Sequence, residues 1–127
     1  MNKNVFFALL LAITGCNKTN KSNQAYSYYS DVLTVTPDKY DLGDIEKKGK
    51  LVIPFSFKIK SKADSTIYIK KVDVSCHCLS IDTITTIYPN HENELKGTID
   101  ISNLSGHINK TIFVNYGEDE VLLLRIK

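Results

Sequence analysis

Leu51-Val52-Ile53-Pro54-Phe55-Ser56-Phe57-Lys58-Ile59 places an apolar residue at every second position. In extended backbone successive side chains point to opposite faces, so Leu51, Ile53, Phe55, Phe57 and Ile59 share one face, with Val52, Pro54, Ser56 and Lys58 on the other. That is the pattern of a strand with one buried side. Pro54 has no backbone N–H to donate, which predicts a sheet edge or a bulge at that point.

The same period recurs on both sides of this stretch. Ile67 and Ile69 alternate, then Val72 and Val74 resume out of phase, which predicts a bulge or bend near Lys70-Lys71. Further strands are predicted over Leu33 to Thr36, Leu79 to Ile87, Leu95 to Ile101, Lys110 to Tyr116 and Val121 to Ile126. Turn-forming clusters separate them, among them Pro37-Asp38, Leu42-Gly43-Asp44, Ala63-Asp64-Ser65, Pro89-Asn90, Asn103 to Gly106 and Gly117-Glu118-Asp119. No run of twelve residues carries a helical stripe. About seven short antiparallel strands at this spacing predict an all-β sandwich over residues 31–127. At about 1.5–3 kcal/mol per large buried side chain, its inward Phe, Ile, Leu and Val residues can offset chain entropy without a cross-link.

Residues 1–15 read differently. Lys3 supplies a basic start and Val5 to Ile13 an uncharged apolar run, the pattern of an export signal and too short for the about 20 residues that a membrane span needs. The run ends in Ile13-Thr14-Gly15-Cys16, which resembles the lipobox of bacterial lipoproteins: an aliphatic residue, two small residues and a cysteine. The resemblance implies that Cys16 is acylated with fatty chains such as palmitate and becomes the mature N-terminus. Each buried methylene contributes about 0.8 kcal/mol, so several chains on one residue hold a domain at a membrane. Residues 16–30 follow as lipidated cysteine and flexible linker, polar apart from Tyr26, Tyr28 and Tyr29 and unable to form a core. As a random coil, Asn17 to Ser30 would span roughly 20 Å.

These readings imply a lipid-anchored protein of the cell envelope, on the periplasmic side of the outer membrane. With 16 Lys and Arg against 14 Asp and Glu, interspersed, the chain has no basic patch for nucleic acid.

Tyr40-Asp41-Leu42-Gly43-Asp44-Ile45, Gly49, Phe55-Ser56-Phe57, the run Ile69 to Cys78, Pro89-Asn90, Gly106, Lys110-Thr111-Ile112 and Leu122-Leu123-Leu124 together resemble the bacterial lipoprotein family called domain of unknown function 1573. The likeness runs from Leu33 to Ile126. It implies an immunoglobulin-like domain of the hydin type and brings no biochemical activity with it. His77 stands where the family's Ser-Cys-Gly-Cys-Thr corner has glycine, and Asn90 where its Pro-Gly turn has glycine. Asn tolerates positive φ better than most residues; His at 77 disfavours it and adds a ligand.

Ser75-Cys76-His77-Cys78 is the stretch with most chemistry. In an extended strand Cys76 and Cys78 share a face with α-carbons about 6.6 Å apart, the far limit for a disulfide, so a bridge requires a tight turn. The pair is open to three readings: buried structural thiols, a reducible disulfide, or a soft-metal grip on Cu(I) by Cys76 and Cys78, joined by His77 if the corner is not extended. A closed zinc site would need further ligands, and His91 and His107 fall in separate turns. No cofactor other than copper is implied. A Cys-His nucleophile is disfavoured because adjacent residues of a strand face apart, and Asp41/Asp44 and Glu118/Glu120 read as solvated turn charges. Ser65 and Thr83, in Asp64-Ser65-Thr66 and Asp82-Thr83-Ile84, resemble acceptors of bacterial O-glycosylation. The residues therefore point to a non-enzymatic module that binds a protein or glycan, with a copper or redox protein working through Cys76, His77 and Cys78 as the alternative.

Overall fold

The ten-residue strand over Val52–Ser61 forms as its alternation requires, with Phe55, Phe57 and Ile59 buried and Lys58 and Lys60 exposed. The structure, a computed structural model, describes residues 31–46 and 48–127. The signal segment 1–15, Cys16 and the linker through residue 30 lie outside the described residues.

In chain order the strands are β1 (Leu33–Thr36), β2 (Lys39–Tyr40), β3 (Val52–Ser61), β4 (Ile67–Val74), β5 (Leu79–Ile81), β6 (Thr86–Ile87), β7 (Glu92–Asp100), β8 (Lys110–Tyr116) and β9 (Glu120–Ile126). They make two layers, ordered β1-β3-β7-β5 and β2-β9-β8-β4-β6. With the two-residue β2 and β6 set aside and the other seven lettered A to G, the layers read A-B-E-D and G-F-C. The two layers form a β-sandwich. The core between them takes Phe57, Ile59, Leu95 and Ile99 from one layer and Ile112, Val114, Leu122, Leu124 and Ile126 from the other, each almost fully buried. Tyr40 closes over Phe55 and Phe57, with ring centroids 6.1 Å from each.

Two local expectations are met by specific geometry. The β4–β8 register shifts between Ile69 and Lys71, which lets Ile69 and Val72 both pack on the core despite their phase difference. β1 pairs only with Lys58 to Ser61, so at Pro54 the flank of β3 away from β7 has no strand beside it.

Three expectations are corrected. Leu79 to Ile87 is not one strand: β5 pairs with β7 in one layer, residues 82–85 cross over, and β6 pairs with β4 in the other. The alternation lapses there because Thr83 and Thr85 are exposed where apolar residues would continue it. β7 starts at Glu92, not Leu95, because Glu92 and Glu94 lie opposite Lys60 and Lys58, and Lys58 reaches Glu92 at 3.6 Å. Not every pair is antiparallel either, since β2 runs parallel to β9, Lys39 opposite Arg125 and Tyr40 opposite Ile126.

Turn chemistry follows the residues. Asn90 carries a φ of 57°, the only positive φ at a non-glycine among the described residues, in the β6–β7 turn. The Asn93 side chain ties that turn down, accepting from Tyr88 N–H at 2.9 Å and donating to the carbonyls of Tyr88 at 3.1 Å and His91 at 3.2 Å. Backbone groups left unpaired at a turn are satisfied by one amide.

Candidate functional site

The strand pairings sort the loops into two ends. The chain enters at Asp31 and Val32, whose carbonyl accepts from Lys62 N–H at 2.8 Å, beside the turns 62–66, 88–91 and 117–119. At the other end lie residues 41–46 and 48–51, the corner 75–78, the loop 101–109 and Lys127. β3 alone separates these ends by roughly 30 Å at about 3.3 Å per residue.

At the far end, Ser75 to Cys78 carries the chain from β4 in one layer to β5 in the other. Ser75 N–H donates to Thr111 carbonyl at 3.0 Å and Thr111 N–H returns to Ser75 Oγ at 2.9 Å, which docks the corner on the start of β8. Asp100 N–H donates to Cys78 carbonyl at 2.8 Å, which docks it on the end of β7. Leu79 N–H bonds back to Cys76 carbonyl at 3.1 Å, so Cys76 to Leu79 is a β-turn with His77 and Cys78 at its centre. This turn brings the α-carbons of Cys76 and Cys78 to 5.1 Å, and the sulfurs are joined in a disulfide. Both cysteines are half-buried, while His77 at the tip is exposed and does not need a positive φ. Cys78 N–H points at Cys76 Sγ, 3.0 Å away, and the Cys78 side chain packs against the core.

Beside the corner a cleft of about 1180 Å³ opens between the loop 41–46 and the loop 101–109. Leu42, Ile45, Leu104 and Ile108 give it apolar walls, with Asp41, Asp44, His107 and Lys127 also lining it. Its loops are fixed by backbone. Leu42 N–H donates to Lys127 carbonyl at 2.7 Å, and Ile101 N–H to Leu51 carbonyl at 3.0 Å. Leu51 N–H in turn donates to Ser102 Oγ at 2.9 Å, and Ser102 N–H to Asp100 Oδ1 at 2.9 Å. The Ser102 hydroxyl and then its N–H hold the Asp100 carboxyl below its ordinary value; burial opposes them, and the charge of Lys50 adds the smallest lowering effect.

The remaining predicted residues are scattered. His91 sits in the β6–β7 turn at the chain-entry end, while His107 lines the cleft. Among the described residues no three His, Cys, Asp or Glu side chains gather into a metal-holding group. Asp41, Asp44, Glu118 and Glu120 are exposed, as are Ser65 in the β3–β4 turn and Thr83 between β5 and β6. The cleft itself is new relative to the sequence reading. Its signal was four aliphatic residues, Leu42, Ile45, Leu104 and Ile108, set in segments otherwise rich in turn formers.

The family described as protein of unknown function DUF1573 matches residues 33–127, from the first residue of β1 to the last of the chain. The chain belongs to this family. No curated protein matches it. Among solved structures, the DUF1573 domain is similar to a protein of unknown function from Porphyromonas gingivalis W83, at 12% identity and a TM-score of 0.58. That likeness covers 76% of this chain and 46% of the other, so the chain spans less than half of its neighbour's length. At such identity the likeness is one of fold alone.

Proposed function

We propose that this chain is a lipid-anchored, non-enzymatic module of the cell envelope whose far end binds a protein partner. The observation that carries the reading is the opposition of the two ends. The chain enters beside the turns 62–66 and 88–91, whereas the disulfide corner and the cleft lie at the other end of the sandwich. If Cys16 is acylated, a linker of roughly 20 Å followed by a body of roughly 30 Å holds that end away from the headgroups. A site meant for a second macromolecule belongs there.

Protein is a better match than glycan for the cleft, because its walls are aliphatic and none of its described lining residues is Phe, Tyr or Trp. Sugar rings are commonly met by aromatic faces, whereas Leu and Ile walls suit an apolar side chain inserted from a partner.

Photocrosslinking in intact cells tests the reading. Crosslinker amino acids at Leu104 and Ile108 are expected to trap one discrete protein, crosslinkers at Ser65 and His91 are not, and Cys16→Ser is expected to abolish the product by releasing the chain from the membrane. Equal capture at both ends, or none at Leu104 and Ile108, contradicts it.

A further inference from the structure

The Cys76–Cys78 bridge closes a ring across only two residue steps, and such a ring restrains the unfolded chain far less than a long loop does. The corner does not need it for shape. Four backbone-directed bonds, Ser75 N–H to Thr111 O, Thr111 N–H to Ser75 Oγ, Asp100 N–H to Cys78 O and Leu79 N–H to Cys76 O, hold the turn whether or not the sulfurs are joined. A disulfide that is half-exposed, terminal and dispensable to the scaffold is suited to being opened and closed.

The two sulfurs are also unequal. Negative charge left on Cys76 Sγ is met by the Cys78 N–H at 3.0 Å. Charge left on Cys78 would form on a side chain that packs against the apolar core. In thiol–disulfide exchange the sulfur that best carries charge is the better leaving group.

We infer that the corner is a thiol–disulfide exchange site for a dithiol of an exported partner, in which Cys78 takes the incoming sulfur and Cys76 leaves. A partner thiolate attacks Cys78 Sγ; a new S–S bond forms, the Cys76–Cys78 bond breaks, and its electron pair rests on Cys76 Sγ under the Cys78 N–H. The partner's second thiolate then attacks its own sulfur in the mixed disulfide and expels Cys78. The partner loses two electrons and two protons and becomes a disulfide, and Cys76 and Cys78 gain them as thiols. Run backwards, Cys78 attacks a partner disulfide and Cys76 resolves the product. That the partner is exported rests on the export signal read at residues 1–15, whereas the exchange chemistry rests neither on acylation of Cys16 nor on the occupant of the cleft.

The test uses the full-length oxidised protein in detergent with reduced glutathione as the probe, quenched by acid at short times and read by fragmentation mass spectrometry. The expected adduct lies on Cys78 in at least about tenfold excess over Cys76. In the reduced protein, Cys76→Ser is expected to hold a stable glutathione adduct at Cys78 after treatment with oxidised glutathione, and circular dichroism of the reduced wild type is expected to match that of the oxidised form. An adduct mainly on Cys76, equal labelling of both, exchange seen only in denaturant, or loss of the β spectrum on reduction overturns the inference.

Discussion

Replacing Gly97 by alanine adds one methyl group to a buried position of β7, opposite Phe55 of β3 and Ile81 of β5. That methyl would overlap the Ser80 carbonyl oxygen, stand 2.6 Å from Phe55 Cζ and 3.1 Å from Ile81 Cδ1. The Phe55 ring packs against Tyr40 and Phe57, whose centroids are 6.1 Å and 5.9 Å away, and Ser80 is backbone paired with Thr98. Overpacking of this kind costs about 1–3 kcal/mol. Removing a strand glycine returns about 0.5–1 kcal/mol of chain entropy. The net expectation is a loss of about 1–2 kcal/mol, which at about 4–8 °C per kcal/mol for a domain near this size lowers Tm by roughly 4–16 °C. Urea titration followed by circular dichroism measures it, and Phe55→Leu in the Gly97→Ala background is expected to recover part of the loss, a coupling that distant sites do not show. A neutral or stabilising Gly97→Ala refutes the close approach of β5, β7 and the Phe55 ring, and with it the packing that seats the strand leaving the corner.

Three further outcomes follow from individual contacts. Cys76→Ser with Cys78→Ser is expected to cost less than about 2 kcal/mol, because the chain-entropy gain for so short a loop is roughly half the about 3 kcal/mol of a 15-residue one; a thermal scan that shows loss of folding contradicts it. Asn93→Ala removes the acceptor for Tyr88 N–H and the donor for the Tyr88 and His91 carbonyls, and is expected to cost about 1–3 kcal/mol and to speed amide exchange selectively in residues 88–91. Asp100 is held below its ordinary value, so its contribution to stability is present above the unfolded carboxyl pKa of about 3.9 and is lost as pH falls through the lower folded value. Asp100→Asn is therefore expected to flatten the fall in urea midpoint below about pH 4 while leaving the shape of the curve above pH 5 unchanged.

The fold was legible wherever one face of a strand is buried over several turns of the pleat. Phe55, Phe57 and Ile59 announce β3, Leu122, Leu124 and Ile126 announce β9, and even the Lys70 slip shows as a change of phase. What could not be read there is structure without periodicity. Lys39–Tyr40 is too short to alternate, Glu92 and Glu94 join β7 through opposed lysines, not through burial, and Leu79 to Ile87 changes layer at a stretch of threonines that still looks β-prone. The corner was visible as chemistry but not as geometry, since the turn that closes Cys76 on Cys78 depends on Thr111 and Asp100, more than twenty residues away. The cleft was missed for a similar reason: Leu42 and Ile45 meet Leu104 and Ile108 only once β2 and β9 run side by side.

The proposed opposition of an anchored end and a partner-binding end is tested most directly in protein extracted from its native membranes, with whatever N-terminal lipid it carries, and returned to vesicles. A fluorescent amino acid at Ser65 or at His107 is read against a quencher fixed to the lipid headgroups. Several-fold stronger quenching at Ser65 than at His107 is the expected result. Equal quenching, or stronger quenching at His107, would mean that the cleft and the Cys76–Cys78 corner face the membrane and not a partner beyond it.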